Sequence, residues 1–158
     1  MKNNVVGLIA VRLKSKRLPK KALAELNNLP LIQRLHERLL KSDLLNEIIW
    51  CTSTNPEDDP LEKIAKTLKA KIFRGSELDV ISRFISVSDK FNADTIVRIT
   101  GDNPLTDPEM LDYMVKCHLS HDAEYSYTED LPSGTRPEII SSSALKRCHT
   151  LIQEPNYS

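Results

Sequence analysis

Val5, Val6, Leu8, Ile9, Ala10 and Val11 form a near-unbroken apolar run close to the start of the chain. Such a run is expected of a strand buried on both faces, usually in a parallel sheet. Behind Pro30, Leu31, Leu35 and Leu39 recur at i, i+4 and i+8, which predicts a helix with one inward stripe. The alternation then repeats. Strands are predicted at 47–52, 71–73, 94–100, 123–127 and 138–140. Helices are predicted through Leu61, Ile64, Ala65 and Leu68, from Leu78 through Val87, from Pro108 through Leu119, and over 141–151. Strands separated by helices imply an α/β class, here a Rossmann-like three-layer arrangement with a mostly parallel sheet.

The punctuation between these segments supports the division. The stretch 26–30 reads as a turn into the first helix. Asp59 is placed to cap a helix whose first residue is Pro60, with Glu62 completing a capping box. That explains the acidic run 57–59 better than a metal site does. Asp107 should cap the helix that begins at Pro108. Met110 and Met114 fit core packing. His36 lies beside the stripe of the first helix, as a surface or core residue rather than a ligand. His118 and His121, at i and i+3, give a weak metal signal without an accompanying acid.

Composition narrows the class. The chain has 158 residues, a length suited to one domain, with 22 basic and 22 acidic side chains. That balance advertises neither nucleic acid nor an anionic membrane as a partner. No apolar run approaches the roughly 20 residues that span a bilayer, and residues 1–4 carry no secretory pattern. Cys51, Cys117 and Cys148 form no CxxC, so neither a disulfide frame nor a zinc site is indicated. A cytoplasmic location is expected.

Two stretches carry chemistry. Directly after the first strand come Arg12, Lys14, Lys16, Arg17, Lys20 and Lys21, without an acidic residue among them. Crowded cations repel one another. A polyanion such as a triphosphate would relieve them, with Arg giving forked hydrogen bonds and Lys a point charge. A solvated basic loop is the plainer reading, but ligands of open α/β sheets sit beyond the carboxyl ends of strands, where this loop lies. The second stretch is Gly101-Asp102-Asn103-Pro104, after the strand 94–100. With a strand order of the 3-2-1-4 kind, this turn and the basic loop face one crevice. Asp102 is then either a turn former or a magnesium ligand shared with phosphate oxygens; the pairing with the basic loop favours the ligand.

The spacing Arg12-x-x-Ser15-x-Arg17-Leu18-Pro19-x-Lys21 resembles the N-terminal signature of sugar cytidylyltransferases. These include the CMP-Kdo and CMP-sialic acid synthetases and, most nearly, the spore-coat polysaccharide biosynthesis protein F group. Gly75-Ser76-Glu77-x-Asp79-Val80-x-x-Arg83, the segment 52–60 and Val97-Arg98-Ile99-Thr100-Gly101-Asp102 with Pro104-Leu105 extend the likeness over essentially the whole chain. The resemblance implies a GT-A-like fold and transfer of CMP from CTP to a sugar, with release of pyrophosphate. It implies Arg12, Lys21 and Asp102 as catalytic residues, with Mg2+ on Asp102. It implies Ala10, Arg12, Ser15, Arg17, Lys21, Ser76, Asp79 and Arg83 around the nucleotide, and Arg136 and Glu138 on the sugar side. Asp79 and Arg83 have an equally good structural reading, as a helix cap and an acid-paired arginine. The chain departs from the pattern at Lys14 and Lys20, where relatives often carry Gly, and at Arg136, where many carry Asp. Arg136 would suit an acidic sugar. A homodimer is implied too. Relatives continue beyond the matching point, so 1–158 is expected to be a single nucleotidyltransferase domain cut short at its C-terminus.

Two other functions fit the same residues. One is a non-catalytic nucleotide- or sugar-binding module. The other is a GT-A glycosyltransferase, although that class usually relies on an Asp-x-Asp motif and Asp102-Asn103-Pro104 is not one. The glycines are too scattered for a dinucleotide fingerprint or a Walker loop, and no Gly-x-Ser-x-Gly elbow occurs.

Overall fold

The computed structural model describes residues 3–14, 18–132 and 134–152. A central sheet holds β1 (Val5–Ala10), β4 (Glu47–Ser53), β5 (Lys71–Gly75), β6 (Thr95–Thr100), β7 (Tyr125–Ser126) and β8 (Glu138–Ser141) in the order β5-β4-β1-β6-β8-β7. The first four are parallel, and β8 and β7 add antiparallel pairings at one edge. The predicted mostly parallel sheet and the 3-2-1-4 order are therefore present. Ala10 is registered against Thr100, so the exits of β1 and β6 are adjacent.

Both faces of the sheet are covered, which is why β1 has no polar alternation. On one side α1 (Leu31–Leu39), α2 (Asp59–Leu68) and α4 (Pro108–Ser120) pack Leu35, Leu61 and Leu111 against Val5, Ile9 and Trp50. On the other, α3 (Val80–Phe91) and α5 (Ser142–Leu151) set Phe84, Val87 and Leu145 against Val6, Leu8 and Ile49. The three-layer expectation holds.

Several boundaries differ from the sequence reading. The stretch 26–30 is a small hairpin, with β2 (Glu25–Leu26) paired to β3 (Leu29–Pro30). Asn27 and Asn28 turn it with φ of 51° and 62°, the left-handed pair that a two-residue hairpin requires. Pro30 consequently stands just ahead of α1 rather than inside it. The capping box at Asp59 does not form. Asp59 is the first helical residue, and both it and Glu62 reach Arg74, each at 2.7 Å. The 123–127 strand shortens to two residues. Asp107 caps α4 as expected, accepting from Glu109 N and Met110 N.

His36 is a core residue. Its Nδ1 accepts from the Trp50 indole at 3.2 Å, and burial lowers its pKa against a smaller upward pull from Glu37. His118 is buried on Ser126 Oγ at 2.8 Å, while His121 is exposed.

Candidate active site

The site lies over the carboxyl ends of β1 and β6. At the β6 exit, Gly101 N donates to Ala10 O at 2.8 Å, and Asn103 N turns back to Thr100 O at 3.1 Å. The turn presents Asp102. Gly101 is needed there for close approach: a Cβ would lie 2.6 Å from Val11 Cβ and 2.8 Å from Val11 Cγ2.

From the β1 exit the chain runs out through Arg12, Leu13 and Lys14 and returns at Leu18. Lys20 N bonds Leu13 O at 2.9 Å, closing the loop. Lys20 itself holds φ 58°, the left-handed region that favours glycine. The side chain where relatives often carry Gly therefore sits at a position that explains their preference. A short 3-10 turn, Lys21–Leu23, buries Ala22 and aims Lys21 across the cleft.

Lys21 Nζ meets Asp102 Oδ2 at 2.9 Å, both side chains about two-fifths exposed. Burial pushes the Asp102 carboxyl up, but hydrogen bonds from Lys21 and Thr100 and the Lys21 charge together hold it below the usual carboxylate range. It is an ionised, reachable oxygen donor. A pocket of about 160 Å³ lies at this point, lined by Ala10, Val11, Arg12, Lys21, Gly101 and Asp102 among others.

A second cavity, of about 600 Å³, opens beside the first and shares Ala10, Val11 and Arg12 with it. Its walls include Glu77, Arg83, Arg98 and Thr100, with Val80, Phe84 and Leu145 supplying apolar surface. Arg83 is 4% exposed, donates to Ser76 O at 2.9 Å, and leaves Nε without a hydrogen-bond partner. It also faces Cys51, whose thiol burial drives up to about 11 despite that charge. The sequence reading of Arg83 as paired with an acid is not what the structure shows.

Ser76 and Asp79 do not line the cavity. Ser76 Oγ takes the Asp79 N–H at 3.0 Å, and Asp79 caps α3 by accepting from Ser82 N at 2.8 Å. Together they seat Arg83. Arg136 lies outside the cavity as well, with Nε bonded to Leu131 O at 2.6 Å. Glu138 reaches the cavity wall through Arg98, at 2.5 Å. Ser15 and Arg17 fall outside the described residues.

Sequence reasoning missed two contributors. Arg98 interrupts the apolar strand β6, and a charge inside a buried strand was the available signal. In the sequence Asp58 stands only as one of an acidic run, yet it is 1% exposed. Its carboxylate accepts from Leu13 N at 2.7 Å and Thr52 Oγ1 at 2.9 Å, and from both the backbone and the hydroxyl of Ser53. It ties the start of the basic loop to β4.

The described residues suit a metal held by one carboxylate. Among the described residues no group of three or more His, Cys, Asp or Glu side chains gathers to hold an ion. Asp102 is a single carboxylate, so the remaining oxygens would come from phosphate and water. That is the habit of magnesium at nucleotide sites, and the residues fit it.

Known proteins bear on this arrangement. An uncharacterized protein of Methanocaldococcus jannaschii is 38% identical over 143 residues, covering 90% of this chain and 59% of the relative. Spore coat polysaccharide biosynthesis protein SpsF of Bacillus subtilis is 33% identical over 147 residues, 90% of this chain and 61% of its own. The chain thus spans about three fifths of the length of these relatives. A cytidylyltransferase structure from Leptospira borgpetersenii superposes with a TM-score of 0.91 at 31% identity, covering 98% of this chain and 67% of that one. The profile of the family described as cytidylyltransferase matches residues 6–157. With a cation-lined loop facing one carboxylate across the strand exits, and a match of that extent, the chain belongs to the cytidylyltransferase family.

Proposed function

We propose that the protein transfers CMP from CTP to a sugar hydroxyl, releasing pyrophosphate and making a CMP-sugar for polysaccharide assembly. The observation that carries this reading is the juxtaposition of Lys21 and Asp102 at 2.9 Å, beside a cavity large enough for a nucleoside and a sugar ring. Membership of the cytidylyltransferase family supports the nucleotide, and the name of the Bacillus relative supports the polysaccharide.

Each residue then has a task. Arg12, exposed and lining both cavities, holds β- and γ-phosphate oxygens, a task the family resemblance also gives to Arg17 and, for the nucleotide, to Ser15. Lys21 leaves Asp102 for the α-phosphate and offsets the charge that develops there. Ala10, on the cavity floor, offers backbone close to the nucleotide. Arg83, seated by Ser76 and Asp79, contributes a donor to the wall beside the nucleoside. Glu138 stands on the acceptor side. Asp102 would hold a divalent ion, Mg2+ in our reading, which when bound withdraws charge from the phosphoryl group and orients it. The sugar hydroxyl's oxygen forms a bond to the α-phosphorus as the bond from that phosphorus to the α–β bridging oxygen breaks in line; pyrophosphate carries the electron pair away and the hydroxyl proton passes to water.

The acceptor is read as an acidic sugar. Arg136, whose charge would suit such a sugar, is turned away by the fold, but among the described lining residues Arg12 and Arg83 stand against one carboxylate, Glu77, while Arg98 is already paired with Glu138. Pyrophosphate release should require CTP, a divalent ion and a sugar. Turnover of UDP-sugars without pyrophosphate release would replace this reading with a glycosyltransferase. Binding of CTP without turnover would leave a binding module.

A further inference from the structure

Arg98 and Glu138 are direct cross-strand partners on β6 and β8, joined at 2.5 Å with both side chains about one-third exposed. Their positions share a sheet face with Ile96 and Ile140, which pack in the apolar layer beneath α3 and α5. Filling that face with an ion pair costs more desolvation than an apolar pair would. The pair lies where the helices stop covering the sheet, since Arg98, Thr100 and Ile140 all line the 600 Å³ cavity. Tyr125 pairs with Ile140 and so belongs to the same face. Its phenol stands beside Glu138, where burial first and then that carboxylate raise its pKa. The Tyr127 ring is 5.8 Å from it, centre to centre. In a chain only 5% aromatic, these two tyrosines are 51% and 58% exposed.

We propose that Arg98, Glu138 and Tyr125 form the acceptor subsite, in which the ion pair reads two neighbouring ring hydroxyls and Tyr125 borders the ring. The proposal rests on the sugar-transfer reading above and specifies what the sugar must display. An arginine only donates, an ionised carboxylate only accepts, and a hydroxyl does both. A vicinal diol can therefore donate to Glu138 and accept from Arg98 without disturbing their charge balance. A carboxylate at the same point would meet the Glu138 charge. If the acceptor is acidic, its acid group therefore faces away from this pair, and its diol faces it. Thr100 links the subsite to the reacting centre, because it lines the same cavity as Arg98 and ends β6 just ahead of the turn that presents Asp102.

The test is pyrophosphate release from CTP with Mg2+ over a panel of hexoses, N-acetylhexosamines, 6-deoxyhexoses, 3-deoxy-manno-octulosonate and N-acetylneuraminate. The best acceptor is then compared with analogues lacking one hydroxyl. In wild type, removal of one of two adjacent hydroxyls should lower kcat/KM roughly ten- to a hundredfold, the range for a lost hydrogen bond to a charged group. Glu138→Gln and Arg98→Met should raise the sugar KM by a similar factor, leave the KM for CTP within about twofold, and no longer distinguish the analogue from the parent. Tyr125→Phe should retain that discrimination and weaken sugar binding a few-fold. If no sugar supports turnover, the sugar-transfer reading falls. If a sugar works but the variants move both KM values alike, or discriminate the analogue as wild type does, only this subsite is overturned.

Discussion

Lys21 Nζ and Asp102 Oδ2 are 2.9 Å apart, although 81 residues of sequence separate them. The contact closes the cleft between the exits of β1 and β6, and it joins the two groups proposed to serve the nucleotide and its metal. An exposed pair of this kind adds about 0–1 kcal/mol to stability. Its value is in placement.

Replacing Lys21 should therefore cost activity and little else. Lys21→Ala is expected to lower kcat by at least about a hundredfold, in line with loss of a donor aimed at developing charge. The melting temperature should move by about 4 °C at most, given the pair's small energy and the chain's size. Steady-state kinetics beside a thermal melt checks both.

Asp58 should show the reverse weighting. Its buried carboxylate satisfies Leu13 N, Thr52 Oγ1 and Ser53 together. Asp58→Ala leaves these donors without an acceptor and is expected to destabilise by about 3 kcal/mol. That corresponds to a fall of roughly 6–12 °C in Tm, with weaker CTP binding because Leu13 begins the basic loop. Asp58→Asn, which can still accept, should lose less.

Gly101→Ala probes the turn that presents Asp102. The added methyl meets Val11 Cβ at 2.6 Å, and neither backbone can retreat without shifting the β1 or β6 exit. Overpacking of this kind costs about 1–3 kcal/mol. Calorimetric titration with CTP and Mg2+ should show affinity lost beyond what the stability change alone produces.

Acid should destabilise the fold through its buried histidines before its carboxylates. Burial depresses the pKa of His36 and of His118, with Glu37 and Asp122 opposing it less strongly. Each is held neutral when folded, whereas the unfolded side chain takes a proton near 6.5. The stability they contribute is therefore fully present above about pH 6.5 and is lost as pH falls toward their depressed folded values. The lowered carboxylates Asp79 and Asp102 act at more acid pH, below their ordinary value of 3.8. Urea unfolding followed by the single tryptophan, Trp50, should show stability falling between pH 7 and pH 5. His36→Gln, which keeps an acceptor for the indole, should flatten that slope.

The framework was legible because hydrophobic period reports burial. An unalternating β1 announced a strand covered on both sides, and the Leu31, Leu35, Leu39 stripe announced α1. Lys21 and Asp102 were legible through topology, since parallel strands bring their exits together. What escaped were side chains whose role depends on long-range partners. Asp58 looked like one of three surface acids, and only the return of the chain past Leu13 gives it a buried task. Arg98 gained meaning from β8, which arrives 40 residues later. Arg136 carried a plausible charge for an acidic sugar, but Leu131 O holds its Nε outside the cavity. Asp59 is the first residue of α2 rather than its cap and pairs with Arg74, a partner that local sequence does not record.

The central claim is that Lys21 and Asp102 serve one triphosphate, the first through phosphate and the second through its divalent ion. Calorimetric titration of CTP into wild type and Asp102→Asn, each with and without Mg2+, tests it most directly. The account predicts that Mg2+ strengthens CTP binding at least about tenfold in wild type, equivalent to about 1.4 kcal/mol, and that the gain disappears in Asp102→Asn. An undiminished Mg2+ gain in Asp102→Asn would contradict it.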